Sequence, residues 1–456
     1  MNRPAPTSEI IDAVRKHPSH RVKVAAADID GVLRGKYVRK KKFLSALEGG
    51  FGFCDVVFGW DCNDACYDNA AYTGWHSGYP DANATIDLTT YRQVPWDDNV
   101  PFFLADFVDG AGAPLSVCPR QALKRIIGLV EQAGYRPSFG MEFEFFNYLE
   151  TPQSAADKGY QGMTPSSPGM FGYSVLRSTL QQPYFQAVMD KMEAFGVPLE
   201  GFHTETGPGV MEAAILFSDA LEAADRGVLF KTGMKEIGYQ HGVMSTFMAK
   251  VSPDMPGNSG HMHQSLWSPD GETNLFHDPA APDKMSKLFR HYIAGQMKLL
   301  PEFLAFFAPT VNSYKRLVEG HWAPTRVTWA IDNRTTALRA LPGSPKGSRL
   351  ETRVPGADVN PYIGIAAALA AGYWGVVNEL ELTAAPVVGN GYTAPNAERL
   401  PSNLLQAAER LEASTVAREL FGDGFVDHFV SSRKWEWRQF QAAVTDWERK
   451  RYFEIV

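Results

Sequence analysis

Cysteine is scarce in this chain: four residues in 456, at Cys54, Cys62, Cys66 and Cys118. So few thiols make no disulfide framework for this length, and the N-terminal MNRPAPTSEIIDAVRKHPSH lacks the apolar stretch that export requires. A reducing cytoplasm is the expected location. Cys54, Cys62 and Cys66 stand near Asp55, Asp61 and Asp64, but at spacings that match no zinc motif, so packed or loop cysteines are expected. Long apolar runs are missing too. The longest, Tyr362–Val377, falls short of a membrane span; after Asn360-Pro361 it reads as a buried helix. An excess of positive charge is absent: 44 Lys and Arg against 51 Asp and Glu leave −7, which argues against nucleic acid as a main partner. Phosphate-binding loops are absent as well. There is no G-x-x-x-x-G-K-S/T and no full G-x-G-x-x-G, because Gly207-Pro-Gly209 lacks the third glycine. A bound nucleotide would have to lie on a sheet lined with side chains.

What is present is the composition of a globular protein, 45% apolar and 21% charged, long enough for two domains. The first 110 or so residues read as strands and turns. Val22–Ile29 and Leu33–Val38 flank the hairpin signal Asp30-Gly31, Phe51–Trp60 and Ala84–Leu88 read as further strands, and the stretch from Asp61 to Asp81 reads as a loop. A flexible Gly110–Pro114 precedes a helical pattern, which sets expected domains at 1–114 and 115–456. Strand-like segments and helices then mix, so the fold class is α+β. Among the expected elements are strands at Ser138–Tyr148, Leu199–Thr206, Val210–Phe217, Val243–Lys250 and His261–Trp267, and amphipathic helices at Asn403–Phe421 and Trp435–Tyr452. There is no internal repeat.

Three of the strand-like segments carry polar groups at i and i+2, which share a face of a strand. Glu142 and Glu144 do so in Gly140-Met-Glu-Phe-Glu-Phe-Phe146, with Phe143 and Phe145 opposite. His261 and His263 do so in Ser259-Gly-His-Met-His-Gln-Ser265, with Ser265 continuing the face, and Arg349, Glu351 and Arg353 do so in Arg349-Leu-Glu-Thr-Arg353. Any one of these alone is more often a solvated strand face. Together, like charges on packed strands call for a cation between them. Turn residues between Glu205 and Glu212 add two more acids across a hairpin. The oxygen-rich set selects Mg²⁺ or Mn²⁺ over zinc. Basic charge gathers nearby in sequence: from Lys315 to Arg353 there are eight basic residues and three acids, a local +5 suited to a small, highly charged anion. Metals opposite arginines are what phosphoryl transfer requires.

In order and spacing, Glu142–Phe146, Glu205–Glu212, Gly257–Trp267, Asn312–Pro324, Asn333–Arg339 and Lys346–Pro355 resemble the glutamine synthetase family. The resemblance implies an N-terminal β-grasp domain and a catalytic domain with a curved antiparallel sheet. It implies ATP-dependent phosphorylation of the γ-carboxylate of L-glutamate, followed by displacement by an amine. It also implies residue roles: Glu144, Glu205 and Glu212 on one metal, and Glu142, His261 and Glu351 on a second that faces the ATP phosphates. Arg334, Arg339 and Arg353 would neutralise the phosphoryl group and bind substrate. Arg316 would clamp the glutamate α-carboxylate, and Gly257 would lie against the same substrate. His263, Ser265, Arg339, Lys346 and Arg349 would line ATP. Two stacked hexameric rings, with sites between neighbouring subunits, are the implied assembly.

One departure from the family pattern bears on the substrate. Ammonia-using members carry a flap reading roughly P-G-Y-E-A-P, whose glutamate binds ammonium; here the stretch is Glu319-Gly-His-Trp-Ala-Pro324, with Trp322 in that place. An indole offers area and a π face in place of a charge. The sequence therefore looks more like the γ-glutamyl-amine ligases, such as γ-glutamylpolyamine synthetases. An alkyl-, poly- or arylamine is the expected co-substrate, with Glu319 and Asp55, or Phe53, Phe58, Trp60 and Trp75, as candidate walls for it. A true glutamine synthetase and a catalytically silent relative remain the alternatives.

Overall fold

The computed structural model describes residues 7–456. Five strands build the first sheet: β1 (Arg21–Ala27), β2 (Leu33–Arg39), β3 (Phe51–Cys54), β4 (Asp81–Val94) and β5 (Val100–Val108). The order is β2-β1-β5-β4-β3, and the central β1–β5 pair is parallel, as a β-grasp sheet requires. The β1–β2 hairpin forms where expected, because the Asp28 carboxylate accepts the backbone N–H groups of Asp30 (3.0 Å) and Val32 (2.9 Å) and so fixes the turn. This region is not all strand and turn. Helices Thr7–Lys16 and Lys40–Gly49 cover one face, burying Ile10, Val14, Phe43 and Ala46. The expected strand Phe51–Trp60 ends at Cys54, where a 3₁₀ turn over Asp55–Phe58 tucks Val57 and Phe58 into the core.

Nine strands build the second sheet: β6 (Arg136–Tyr148), β7 (Leu199–Thr204), β8 (Val210–Ile215), β9 (Ser218–Asp219), β10 (Met244–Thr246), β11 (Gly260–Trp267), β12 (Trp329–Ile331), β13 (Leu338–Leu341) and β14 (Arg349–Thr352). The path runs β12-β13-β14-β11-β6-β8-β7, with β9 and β10 also paired to β6. Every pair but β12–β13 is antiparallel. The expected strand Val243–Lys250 shortens to β10, and the two expected C-terminal helices are four: Leu404–Ala413, Thr415–Phe421, Asp423–Ala442 and Asp446–Tyr452.

One face of this sheet is apolar and packs on helices. Met141, Phe143, Phe145, Met262, Leu338 and Leu350 share a core with the helices Ala220–Gln240, Lys287–Phe307 and Pro361–Val377. The last is buried along nearly its whole length, as its uniform hydropathy implies. It crosses Lys287–Phe307 closely enough that a Cβ on Gly295 would lie 2.7 Å from the Gly375 Cα, so neither position admits a side chain. The two sheets are tied together by polar groups. Arg120 reaches Asp225, Asp106 and Asp87, each at 2.9 Å, and the Asn360 amide donates to the carbonyls of Asp28 and Ile29. Among the described residues no helix is long and apolar enough to cross a membrane, and all four cysteines are free thiols.

Candidate active site

With its apolar face turned to the core, the second sheet presents its polar face as one row. Register sets His203 opposite Glu212, Glu212 opposite Glu144, Glu142 opposite His261, His263 opposite Glu351, and Glu351 opposite Arg339. Side chains that are far apart in sequence thus line up across six strands. The β7–β8 hairpin closes tightly because Gly209 takes a φ of +75° and lies against the carbonyl of Asn147, where any Cβ would collide. That closure brings Glu205 beside Glu212.

Around Glu351 the row is already neutralised. Arg339 donates to its carboxylate at 2.8 Å, and Arg353 binds its other oxygen. His261 Nδ1 lies 3.5 Å from Glu351 and 3.6 Å from Glu142. Burial works against the Glu351 charge, yet His261, Arg353 and His263 hold its carboxyl down at about 2. The same contest leaves Glu142 well below the usual carboxylate range, with His263 and His261 outweighing burial. Arg349 donates to His263 Nδ1 at 3.1 Å, which assigns the ring proton to Nε2, 3.0 Å from Glu142. His261 Nε2 is buried without a partner.

Around Glu212 the balance reverses. His203, Glu205 and Glu212 bring one ligand atom each within 4.8 Å of one another. Burial first, then the charges of Glu144, Glu142 and Glu205, push the Glu212 carboxyl up to about 9. Glu144 itself turns one oxygen to the Ser259 N–H at 2.7 Å.

Beside the row, His263, Ser265, Lys346 and Arg349 line a cavity of about 240 Å³ with Phe217 and Trp267, so four of the five expected nucleotide residues converge there. Arg339 does not line it, because Glu351 and Asp332 hold it on the sheet. Arg316 is buried and donates to the carbonyls of Val354 and Arg353, with no carboxylate partner among the described residues. Burial lowers its guanidinium to about 10. Gly257 lies directly against it, since a Cβ there would be 2.7 Å from Arg316 Cγ. Arg353 Nε is buried without a partner, and Arg334 is exposed.

A row of acids and histidines, a lined cavity and a buried guanidinium with no carboxylate partner among the described residues are the parts of a phosphoryl-transfer site, and residues 116–452 match the family model described as glutamine synthetase, catalytic domain. The chain belongs to the glutamine synthetase family. As a member it is an ATP-dependent ligase, and ligases of this family use ATP with divalent metal ions. Over 450 residues it is 52% identical to type-1 glutamine synthetase 2 of Dictyostelium discoideum, covering 98% of this chain and 86% of that protein. It is 37% identical to glutamate–isopropylamine ligase of a Pseudomonas species, covering 98% of each. It is 39% identical to gamma-glutamylethanolamide synthetase of Streptomyces coelicolor, covering 95% of this chain and 92% of that one. Among solved structures, apo GmaS superposes with a TM-score of 0.84 at 27% identity, covering 97% of this chain and 99% of that one.

The site residues fit divalent cations on two observations: the unpartnered buried His261 Nε2, and the burial and like charges that push the Glu212 carboxyl up to about 9. His203 is the site residue that the sequence reading passed over. Its spacing to Glu205, i and i+2 in His203-Thr-Glu205, was the available signal. At the flap, Trp322 has a φ of +57° and is 68% exposed. Glu319 is not a free carboxylate, because Arg326 and Arg399 lie 3.8 and 3.6 Å from it. Asp55 is buried and takes the Thr73 hydroxyl at 2.7 Å, while Phe53 and Phe58 belong to the N-terminal core. Asp55, Phe53 and Phe58 are therefore engaged within the N-terminal region of this chain. Trp60 lies under the Arg34 guanidinium, and Trp75 is 81% exposed.

Proposed function

We propose that this ligase joins the γ-carboxylate of L-glutamate to an organic amine, through γ-glutamyl phosphate, with release of ADP and phosphate. The observation that carries the reading is the flap. Trp322 stands where ammonia-using members place a glutamate, and the flap's own acid, Glu319, is already engaged by two arginines. Such a flap offers an alkyl, poly- or arylamine an aromatic surface and offers a bare ammonium ion no charge. The relatives named for an isopropylamine substrate and a gamma-glutamylethanolamide product support the same side.

In this reading the chain's residues divide the work. Glu142, His261 and Glu351 would hold one Mg²⁺ or Mn²⁺, and Glu144, Glu205 and Glu212 a second. When bound, these ions offset the charge on the phosphate oxygens. His263, Ser265, Lys346 and Arg349 hold ATP in the cavity. Arg316, backed by Gly257, takes the glutamate α-carboxylate as its missing partner. Glu351 holds Arg339 and Arg353 in position, and with Arg334 they face the transferring phosphoryl group. A γ-carboxylate oxygen attacks the γ-phosphorus and ADP leaves. The amine nitrogen then attacks the acyl carbon, the bond from that carbon to the phosphate oxygen breaks, and the amine proton passes to solvent. The single chain leaves Trp322 exposed, which suits the family's stacked hexameric rings, with a neighbouring subunit covering the flap. The four free cysteines suit the cytoplasm.

Ammonium use is the second reading, favoured by the 52% identical relative that is named a glutamine synthetase. Glutamate-dependent ADP release with ammonium, methylamine, isopropylamine, putrescine, spermidine and aniline, one at a time with Mg²⁺, separates the two. Turnover with organic amines supports the proposal. Turnover with ammonium alone makes the protein a glutamine synthetase.

A further inference from the structure

The family pattern supplies three glutamates for the cation nearest the β7–β8 hairpin, yet the atoms gathered there include a nitrogen. His203 Nε2 lies 3.9 Å from Glu212 Oε1, and His203 Nδ1 lies 3.9 Å from Glu205 Oε2. The ring is fixed in two ways. Nδ1 contacts the Thr204 carbonyl at 3.1 Å, a bond that only a protonated Nδ1 can make, so in the neutral ring the lone pair lies on Nε2. Tyr173 stacks on the ring with centroids 4.4 Å apart and planes 24° from parallel. A histidine whose one nitrogen donates to a backbone carbonyl while the other faces the Glu212 carboxylate, with Glu205 in the same cluster, has the arrangement of a metal-binding imidazole. Glu144, by contrast, gives one of its oxygens to the Ser259 N–H.

We propose that His203 Nε2 is a direct ligand of the cation between Glu205 and Glu212, so that both cation sites of this protein contain one imidazole nitrogen. The inference rests on the metal-dependent ligase reading above and adds a ligand to it. Tyr173 then acts as a positioning residue that holds the imidazole plane. A nitrogen ligand raises affinity for Mn²⁺ more than for Mg²⁺, which binds oxygen in preference.

The test uses the full chain and Mn²⁺ alone, without ATP, glutamate or amine. Electron paramagnetic resonance counts bound Mn²⁺, and pulsed measurements of ¹⁴N coupling report directly bound nitrogen. In the unaltered protein two sites per chain are expected, each with nitrogen coupling. In His203→Ala one site is expected to weaken at least tenfold for Mn²⁺ but only a few-fold for Mg²⁺, and its nitrogen signal is expected to vanish. Tyr173→Phe, which keeps the stacking ring, should retain both sites. Nitrogen coupling at only one site of the unaltered protein overturns the inference whether or not the alanine variant folds. Two sites unchanged by His203→Ala overturn it as well, and leave the ligase reading standing. No Mn²⁺ binding at either site overturns both.

Discussion

Glu351 and Glu212 lie on one face of one sheet, with two strands between them, and their carboxyls are displaced in opposite directions. Burial penalises both charges. Glu351 meets two arginines and two histidines and stays ionised, with its carboxyl near 2. Glu212 meets Glu144, Glu142 and Glu205 and holds its proton up to about 9, with Arg353 only a partial offset. One end of the row carries its own counter-charge. The other gathers like charge, and there the proposed cation would supply the balance. Arginines match the charge at one end, and acids cluster without a matching cation among the described residues at the other.

The sharpest way to break this contrast is Glu351→Gln. It removes the acceptor that positions Arg339 and Arg353 and a proposed metal ligand at once. Glutamate-dependent ADP release is expected to fall about 10³-fold or more with every amine, with no rescue by added metal. Activity near that of the unaltered enzyme would remove Glu351 from the machinery. Glu212→Gln should cost less, about 10²-fold, and raising Mn²⁺ should restore part of it, because this end depends on a recruited ion. Equal losses that metal does not rescue would erase the distinction between the two ends.

A pH series sharpens the comparison without substrate. The Glu212 carboxyl is raised in the fold from 4.5 to about 9, so the folded chain keeps a proton that the unfolded chain releases. Its contribution to stability is full below pH 4.5 and is lost as the pH rises to about 9. In chelator, the melting temperature of the unaltered protein should fall relative to Glu212→Gln between pH 5 and 9. Glu351 has the opposite sign: its contribution is present above pH 4.5 and fades as the pH falls towards 2. Parallel curves for the unaltered protein and Glu212→Gln would contradict the burial of like charge. The smallest expected effect is at the flap, where Trp322→Glu should move the ratio of kcat/KM for ammonium over organic amine upward by about tenfold. An unchanged ratio would remove Trp322 from specificity.

Much of the site was legible because a strand's two-residue period is local. Glu142 with Glu144, His261 with His263, and Arg349 with Glu351 share a face whatever else the chain does. Which strand lies beside which is not local. The β7–β8 hairpin is legible from its turn residues, but the order β14-β11-β6 depends on the whole sheet. Residue type alone does not separate a core aromatic from a pocket wall either. Phe53 and Phe58 pack against Phe107 in the N-terminal core, while Trp322 stands in solvent. The helix Lys40–Gly49 escaped notice because it begins with three lysines and has no side-chain cap; it is held by burial of Phe43 and Ala46 against the first sheet.

The choice of amine over ammonium is the claim on which the functional reading stands. Its most direct test is a single reaction containing ATP, Mg²⁺, glutamate, ammonium and an equimolar set of organic amines, with products identified by mass. One or more γ-glutamylamides in excess over glutamine is the expected result. Glutamine as the sole product would contradict it and would show that the Trp322 flap serves ammonium.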